Sequence, residues 1–98
     1  MLIHIVCWKY KPDVSEESGE LHRESLRALA DLVDGIESLE VGADMLHLER
    51  SFDSGLVVRF SDRDSLDRYT DHPEHQKVAA MGKLMSEKVV SVDFFTRD

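Results

Sequence analysis

The sequence predicts a single α+β domain of 98 residues, in which four strands and two helical regions alternate in the order βαββαβ. Three observations support this fold class. Short runs rich in β-branched and aromatic residues open and close the chain. After the first of these runs, apolar residues recur at helical spacing. A proline interrupts the second helical region, and no linker, repeat or low-complexity segment divides the chain.

The first strand is predicted over Leu2–Tyr10, because LIHIVCWKY is rich in β-branched and aromatic residues and too short for a buried helix. Its side chains alternate between two faces, with Ile3, Ile5 and Cys7 on one and His4, Val6, Trp8 and Tyr10 on the other. Neither face is polar enough to suit contact with water.

An amphipathic helix is predicted next, with Asp13 or Ser15 as its N-cap and Gly35 as a left-handed residue after its last turn. We expect it to bury one stripe, formed by Leu21, Ser25, Ala28, Leu29 and Leu32. His22 falls outside this stripe and is therefore predicted to lie on the surface.

Two strands, residues 36–45 and 56–60, are predicted in the middle of the chain, separated by a loop that contains His47. A short helix capped by Ser61 or Asp62 then carries Tyr69. The next helical segment must begin at Pro73, because a proline suits the first turn of a helix and favours an extended residue before it. This helix runs to about residue 88, and a strand over residues 89–96 closes the chain.

The sheet is predicted to need a partner, because the face turned away from the helices is too apolar to remain in water. We assign Val6, Trp8 and Tyr10 to this face, and the last strand is apolar toward both sides. Covering about 400 Å² per subunit is worth on the order of 10 kcal/mol before association costs. A two-fold, sheet-to-sheet homodimer is the simplest solution. The alternative is a monomer whose loops cover that face.

The composition limits the classes of partner and compartment. The net charge is −8 and the basic residues are scattered, which argues against nucleic-acid binding. The apolar runs are too short for a membrane span, and no basic segment precedes the first one. A single cysteine, Cys7, cannot form an internal disulfide, so a reducing cytoplasm is the expected compartment.

Three residues could carry chemistry together: His4 in the first strand, and Tyr69 and His75 on either side of the helix break. A histidine titrates near neutral pH and can act as a base, and a tyrosine hydroxyl can stabilise an oxyanion. We predict His75 and Tyr69 as the catalytic pair and His4, His72 and Trp8 as pocket residues. The alternative assigns them structural roles, with His75 as a helix cap and Tyr69 and His4 in the core.

His72 and His75 also have a spacing that can bind a metal, but a zinc site needs at least a third ligand and Cys7 is poorly placed to supply one. Neither a metal nor a cofactor is expected. Asp93, between apolar residues of the last strand, is a further polar side chain in an unusual position, and it could pair with a histidine or a lysine.

The chain resembles the stress-responsive dimeric α/β-barrel (Dabb) family over nearly its whole length. The resemblance rests on four segments in the same order: the opening IHIVCWK, the LVVRF strand, Tyr69-x-x-His72-Pro73-x-His75, and the closing VDF. The third segment is the most specific. The resemblance implies a ferredoxin-like subunit with a cavity between helices and sheet, and a dimer whose two sheets form a barrel.

Most of this family has no assigned reaction, but an olivetolic acid cyclase-type branch closes polyketides by aldol condensation with a histidine base and a tyrosine. The resemblance places those roles on His75 and Tyr69, with His4 beside them. Asp71 and Glu74 add charge around the motif, and no long apolar tunnel is evident in the sequence, so the cyclase substrate is not transferred.

Three functions remain open from the sequence. The first is a stress-linked barrel that binds an unidentified small molecule in the pocket without an assigned reaction. The second is a cyclase- or lyase-like enzyme in which His75 removes a proton next to a carbonyl and Tyr69 steadies the enolate. The third is a cofactor-free monooxygenase of the related dimeric-barrel type, which the Tyr69–His75 motif fits less well.

Overall fold

The computed structural model describes residues 1–97 and has the predicted order of elements, with the second helical region divided in two. The seven elements are β1 (Leu2–Tyr10), α1 (Glu16–Arg27), β2 (Ile36–Ala43), β3 (Ser54–Phe60), α2 (Arg63–Asp71), α3 (Pro73–Met85) and β4 (Ser86–Phe95). The α+β, ferredoxin-like class predicted for the subunit is confirmed. No helix in this part of the chain combines the length and apolar character that crossing a bilayer requires.

The sheet is antiparallel with the strand order β2-β3-β1-β4, so that β1 lies between β3 and β4. The register places His4 opposite Val58 on one side and Asp93 on the other. The core lies between one face of this sheet and the helices, where Val58, Phe60 and Tyr69 are completely buried. A side chain in the middle of β1 therefore projects into the centre of the domain or toward the opposite face.

Local sequence accounts for the helix starts. Ser15 accepts a hydrogen bond from the backbone N–H of Ser18 at the start of α1, and Asp62 accepts one from Ser65 at the start of α2. Pro73 occupies the first turn of α3, where its missing N–H costs nothing. The third helix then passes directly into β4 without a connecting residue, which is earlier than the predicted helix end near residue 88.

The first helix ends at Arg27, earlier than predicted, and turns occupy residues 28–35. Gly35 does adopt a left-handed backbone, with φ of +96°. A Cβ at this position would lie 1.9 Å from the hydroxyl of Ser65, so only glycine lets the chain enter β2 so close to α2.

The prediction of which face of β1 the helices cover was wrong. Val6 and Trp8 are buried under the helices, whereas Ile3, Ile5 and Cys7 occupy the face without helices. Both sets are apolar, so alternation alone cannot show which set the helices cover. The apolar character of the free face nevertheless holds, because β4 adds Val90, Val92 and Phe94, which are 40%, 52% and 45% exposed.

The buried stripe of α1 also differs from the prediction. Leu21 of the predicted stripe is 60% exposed, whereas Leu29, just after the helix, is buried as predicted. The buried positions within the helix are Gly19, His22 and Leu26. The helix is therefore rotated from the predicted orientation, and the surface position predicted for His22 was wrong. A part-buried hydrogen-bond network binds one nitrogen of the imidazole, Nδ1, while Nε2 has no partner among the described residues.

His22 is buried at the centre of this network. Its Nδ1 lies 2.7 Å from the Tyr10 hydroxyl, which is 2.9 Å from the Ser54 hydroxyl, and Arg23 donates to that same serine oxygen at 3.0 Å. The ring meets Trp8 edge to face at 4.9 Å. Burial, with a smaller effect from the neighbouring Arg23 charge, lowers the pKa of His22 to about 4.

Replacing His22 with Gln should reduce the decrease in the free energy of unfolding that occurs as the pH falls. Below about pH 6.5 the unfolded chain protonates this histidine, whereas the folded chain does so only near pH 4. The unfolded state therefore binds the extra proton, and stability falls as the pH decreases from about 6.5 to about 4, by about 2–3 kcal/mol from this group.

Urea denaturation at several pH values across this window measures the effect. His47, whose side chain is 80% exposed, provides the matched control, and His47→Asn should retain most of the wild-type slope. An unchanged slope in His22→Gln would contradict the assignment.

Candidate functional site

A cavity of about 610 Å³ lies between the helices and the sheet, on the side of β1 that carries His4. Its walls come from the strands β1, β3 and β4 and from all three helices. Most of its lining is apolar, including Val6, Leu26 and Leu56. The cavity is the size of a small-molecule site, and such sites combine apolar walls with a few placed polar groups.

His4 enters this cavity paired with a carboxylate. Because Asp93 lies opposite His4 in the β1–β4 register, the two side chains meet on the helix-covered side of the sheet. The His4 Nδ1 lies 2.5 Å from an Asp93 carboxylate oxygen. A carboxylate only accepts, so Nδ1 carries the hydrogen of this bond and Nε2 is the nitrogen left for a ligand. The pairing of Asp93 with a histidine, left open by the sequence, is thus observed.

Tyr69 lines the cavity beside His4 and His75. Its side chain is completely buried, and its hydroxyl has no hydrogen-bond partner among the residues described here. The ring lies 4.4 Å from the His75 ring and 6.2 Å from the His4 ring, measured between centroids. Burial raises the pKa of Tyr69 to about 12, so the hydroxyl keeps its proton and can donate a hydrogen bond.

His75 reaches the same space because α3 starts anew at Pro73. Its Nδ1 lies 3.1 Å from the Thr70 carbonyl oxygen, so Nδ1 donates and Nε2 carries the lone pair. Burial lowers the pKa of His75, and the nearby His4 and His72 add to this effect, although the Thr70 bond opposes it. The ring is therefore neutral near pH 7 and available as a base.

The structure separates His72 from the other predicted pocket residues. Its backbone is extended before Pro73, and its Nδ1 accepts the backbone N–H of Glu74 at 3.1 Å. His72 is thus the N-cap of α3, a role considered for His75 in the sequence, and it does not border the cavity. The pocket prediction for His72 is corrected on this ground. Trp8 does line the cavity.

Two further properties of the described residues concern binding. No group of three or more His, Cys, Asp or Glu side chains within residues 1–97 is arranged to hold a metal ion. A second opening, of about 710 Å³, lies beside α1 and is lined by side chains of both charges, including Lys9, Arg23 and Asp53. Neither Tyr69 nor His75 lines this opening. We therefore take the cavity of His4, Tyr69 and His75 as the candidate functional site, although the second opening is larger.

Sequence reasoning missed Ser86 and Lys83, which border the same cavity at the end of α3. Ser86 is buried and its hydroxyl also lacks a partner among the described residues. A serine at a helix end is an ordinary capping residue, and a lysine in the last turn is an ordinary favourable charge, so neither carried a signal.

The model of the Stress responsive A/B Barrel Domain (Dabb) family matches residues 2–96. The chain belongs to this family. The family assignment made from the Tyr69–His75 motif is therefore confirmed, whereas the similarity to the olivetolic acid cyclase type stays a prediction. No curated protein matches this Dabb domain in sequence.

Solved structures of low sequence identity share the fold of this Dabb domain. A dimeric ferredoxin-like protein of unknown function from Thermobifida fusca has a TM-score of 0.89 and 23% identity, with 97% of this chain and 90% of that chain covered. A dimeric protein of unknown function from Bacteroides fragilis has a TM-score of 0.82 and 26% identity, with coverage of 97% and 95%. The hydroxynitrile lyase from Passiflora edulis has a TM-score of 0.85 and 16% identity, with coverage of 99% and 94%.

The state of His75 in this Dabb domain can be measured directly. We expect ¹⁵N-detected NMR to show the Nδ1–H tautomer and a pKa below the ordinary histidine value of about 6.5, because the ring is desolvated and its Nδ1 faces a carbonyl. His75→Ala identifies the resonance. A predominant Nε2–H tautomer, or a pKa above the ordinary value, would contradict the geometry.

Proposed function

We propose that this protein binds a small carbonyl compound in the cavity and transfers a proton at the carbon next to the carbonyl. His75 is the general base and Tyr69 is the hydrogen-bond donor to the oxygen. The observation that carries the proposal is the Tyr69 hydroxyl, which is buried, protonated and unpaired between two histidine rings. A buried hydroxyl without a partner is unfavourable, and a ligand oxygen would satisfy it.

The proton and the electron pair have defined positions in this step. The Nε2 lone pair of His75 takes the proton from the α-carbon, and the C–H electrons move onto the carbonyl oxygen to give an enolate. The Tyr69 hydroxyl donates a hydrogen bond to that oxygen as its negative charge grows. His75 then returns the proton, and His4, held by the bond from its Nδ1 to Asp93, can orient the substrate.

Two further considerations bear on the class of reaction. The Passiflora edulis protein with the same fold is a hydroxynitrile lyase, so this fold can support a lyase reaction. The cyclase-like reaction predicted from the motif uses the same proton removal followed by attack of the enolate on a second carbonyl. Binding without turnover is the competing function, and it requires only the cavity. No observation on the described residues favours a monooxygenase.

Exchange of α-protons tests the proposal without knowledge of the natural substrate. We expect the wild type to accelerate deuterium incorporation into simple ketones and β-keto thioesters in D2O, followed by NMR. His75→Ala should lower the rate by roughly 10²-fold or more, the usual contribution of a general base. Tyr69→Phe should cause a smaller loss, since it removes one donor to the oxyanion.

His72→Asn is the matched control, because it removes a neighbouring histidine outside the cavity and keeps an N-cap residue for α3. It should exchange at the wild-type rate. Ligand binding with no exchange in any of these proteins would leave the chain as a binding protein, and exchange unaffected by His75→Ala would exclude that residue as the base.

We also propose that the protein is a homodimer in which the free faces of two sheets pack together and form a barrel. The support is the row of exposed apolar side chains on β4, with Ile5 and Val57 beside it, on the face that no helix covers. The relatives from Thermobifida fusca and Bacteroides fragilis are dimeric. Cys7 lies half-buried on the same face as a free thiol, which suits a reducing cytoplasm.

Val92→Glu should convert the dimer into a monomer in analytical ultracentrifugation, because it places a charge in the centre of the apolar interface. Leu21→Glu is the matched control, since Leu21 is equally exposed but lies on α1, away from this face. It should remain dimeric. A wild type that sediments as a single 11.2 kDa particle at micromolar concentration would exclude the barrel.

A further inference from the structure

We infer that the ligand is an elongated molecule with a carboxylate at the end opposite its carbonyl group, held by Ser86 and Lys83. The inference rests on the proposed function for the position of the carbonyl, at Tyr69 and His75. It adds the substrate class, a medium-chain keto acid, and a second polar subsite at the other end of the same cavity.

Ser86 supplies the first reason. It lies at the junction of α3 and β4, is 9% exposed, and borders the cavity. Its backbone N–H is already bonded to the Lys83 carbonyl, but its hydroxyl has no partner among the described residues. The cavity therefore has an unsatisfied buried hydroxyl at each end, and a ligand with two polar groups would satisfy both.

The charges near Ser86 supply the second reason. Lys83 lines this end of the cavity and forms no ion pair within residues 1–97, whereas Lys88 lies opposite Lys9 in the β1–β4 register and is therefore on the face without helices. Lys77 of the same helix, by contrast, is paired with Glu74 at 3.1 Å. Glu87 also borders this end but forms no ion pair with Lys83 within residues 1–97, so the Lys83 ammonium group is left without a carboxylate partner. An ammonium group without a carboxylate partner favours an anionic ligand group over a neutral one.

The distance between the two ends defines the length of the ligand. His75 and Lys83 are eight residues apart on α3, which corresponds to about 12 Å along the helix axis. The wall between them consists of aliphatic and indole side chains, including Val6, Trp8 and Ala79. An apolar chain of about ten carbons, with a polar group at each end, fits this combination of length and lining.

Isothermal titration calorimetry with three probes of equal length tests the inference. The probes are a ten-carbon keto acid whose ketone is next to the terminal methyl, its methyl ester, and the corresponding methyl ketone without the carboxyl group. We expect the keto acid to bind on the order of tenfold more tightly than either neutral probe, as a charge-assisted hydrogen bond would give.

Variants then locate the subsite. Lys83→Met and Ser86→Ala should each weaken keto-acid binding by roughly three- to tenfold and leave binding of the neutral ketone unchanged. Lys77→Met, on the same helix but outside the cavity, should bind all probes as the wild type does. Circular dichroism confirms that each variant is folded, and Lys83→Gln gives a second variant without the charge if Lys83→Met does not fold.

The outcomes separate this inference from the proposed function. Equal affinity for keto acid and neutral ketone, with proton exchange still dependent on His75, would overturn the carboxylate subsite and leave the proposed function standing. Tighter binding of an alkyl phosphate of the same length than of the keto acid would assign the subsite to phosphate instead and overturn the keto-acid class. Failure of all the probes to bind, with proton exchange in simple ketones still dependent on His75, would overturn the keto-acid class alone, whereas the absence of exchange as well would overturn both.

Discussion

The hydrogen-bonded position of β1 between β3 and β4 is the constraint on which the rest of the structure depends. A strand in this position has no free edge, so its side chains must project either into the helix-covered core or onto the opposite face of the sheet. The covered side of β1 carries three functional side chains in succession. His4 and Trp8 line the cavity, and the hydroxyl of Tyr10 forms a hydrogen bond with His22. On the other side, Ile3 and Ile5 give the sheet an apolar surface that favours association. One strand thus determines both the candidate site and the candidate interface.

Two buried histidine environments with different chemistry lie on the helix-covered side of the sheet. His22 is enclosed by Tyr10 and Trp8, and its position beneath the helix makes it part of the core. His75 is only half-buried and opens onto the cavity, with its tautomer set by the Thr70 carbonyl. Both rings are neutral near pH 7 because burial disfavours the charged form. A lowered pKa alone does not distinguish a structural histidine from a base, whereas access to a ligand does.

The sequence allowed the order of the elements and the family to be predicted, because strand composition, capping residues and the proline break are local signals. It did not allow the two faces of β1 to be assigned, since Val6 and Ile5 are equally apolar. It placed His22 on the surface because an imidazole counts as polar in a helical pattern, and the partners that bury it come from distant strands. Tyr69, His75 and His4 share a cavity as expected, whereas His72 caps a helix and Ser86 gave no sequence signal.

The direct passage of α3 into β4 has a mechanical consequence. No loop absorbs movement at this junction, so a shift of the helix must be taken up by the strand itself. Val89 and Ser91 touch the cavity, while Val90 and Val92 project from the other side of the same strand. A single layer of backbone therefore separates an occupant of the cavity from whatever contacts the outer surface. Ligand binding in the cavity and association at the outer face are therefore expected to be coupled. Each should change the free energy of the other by the same amount.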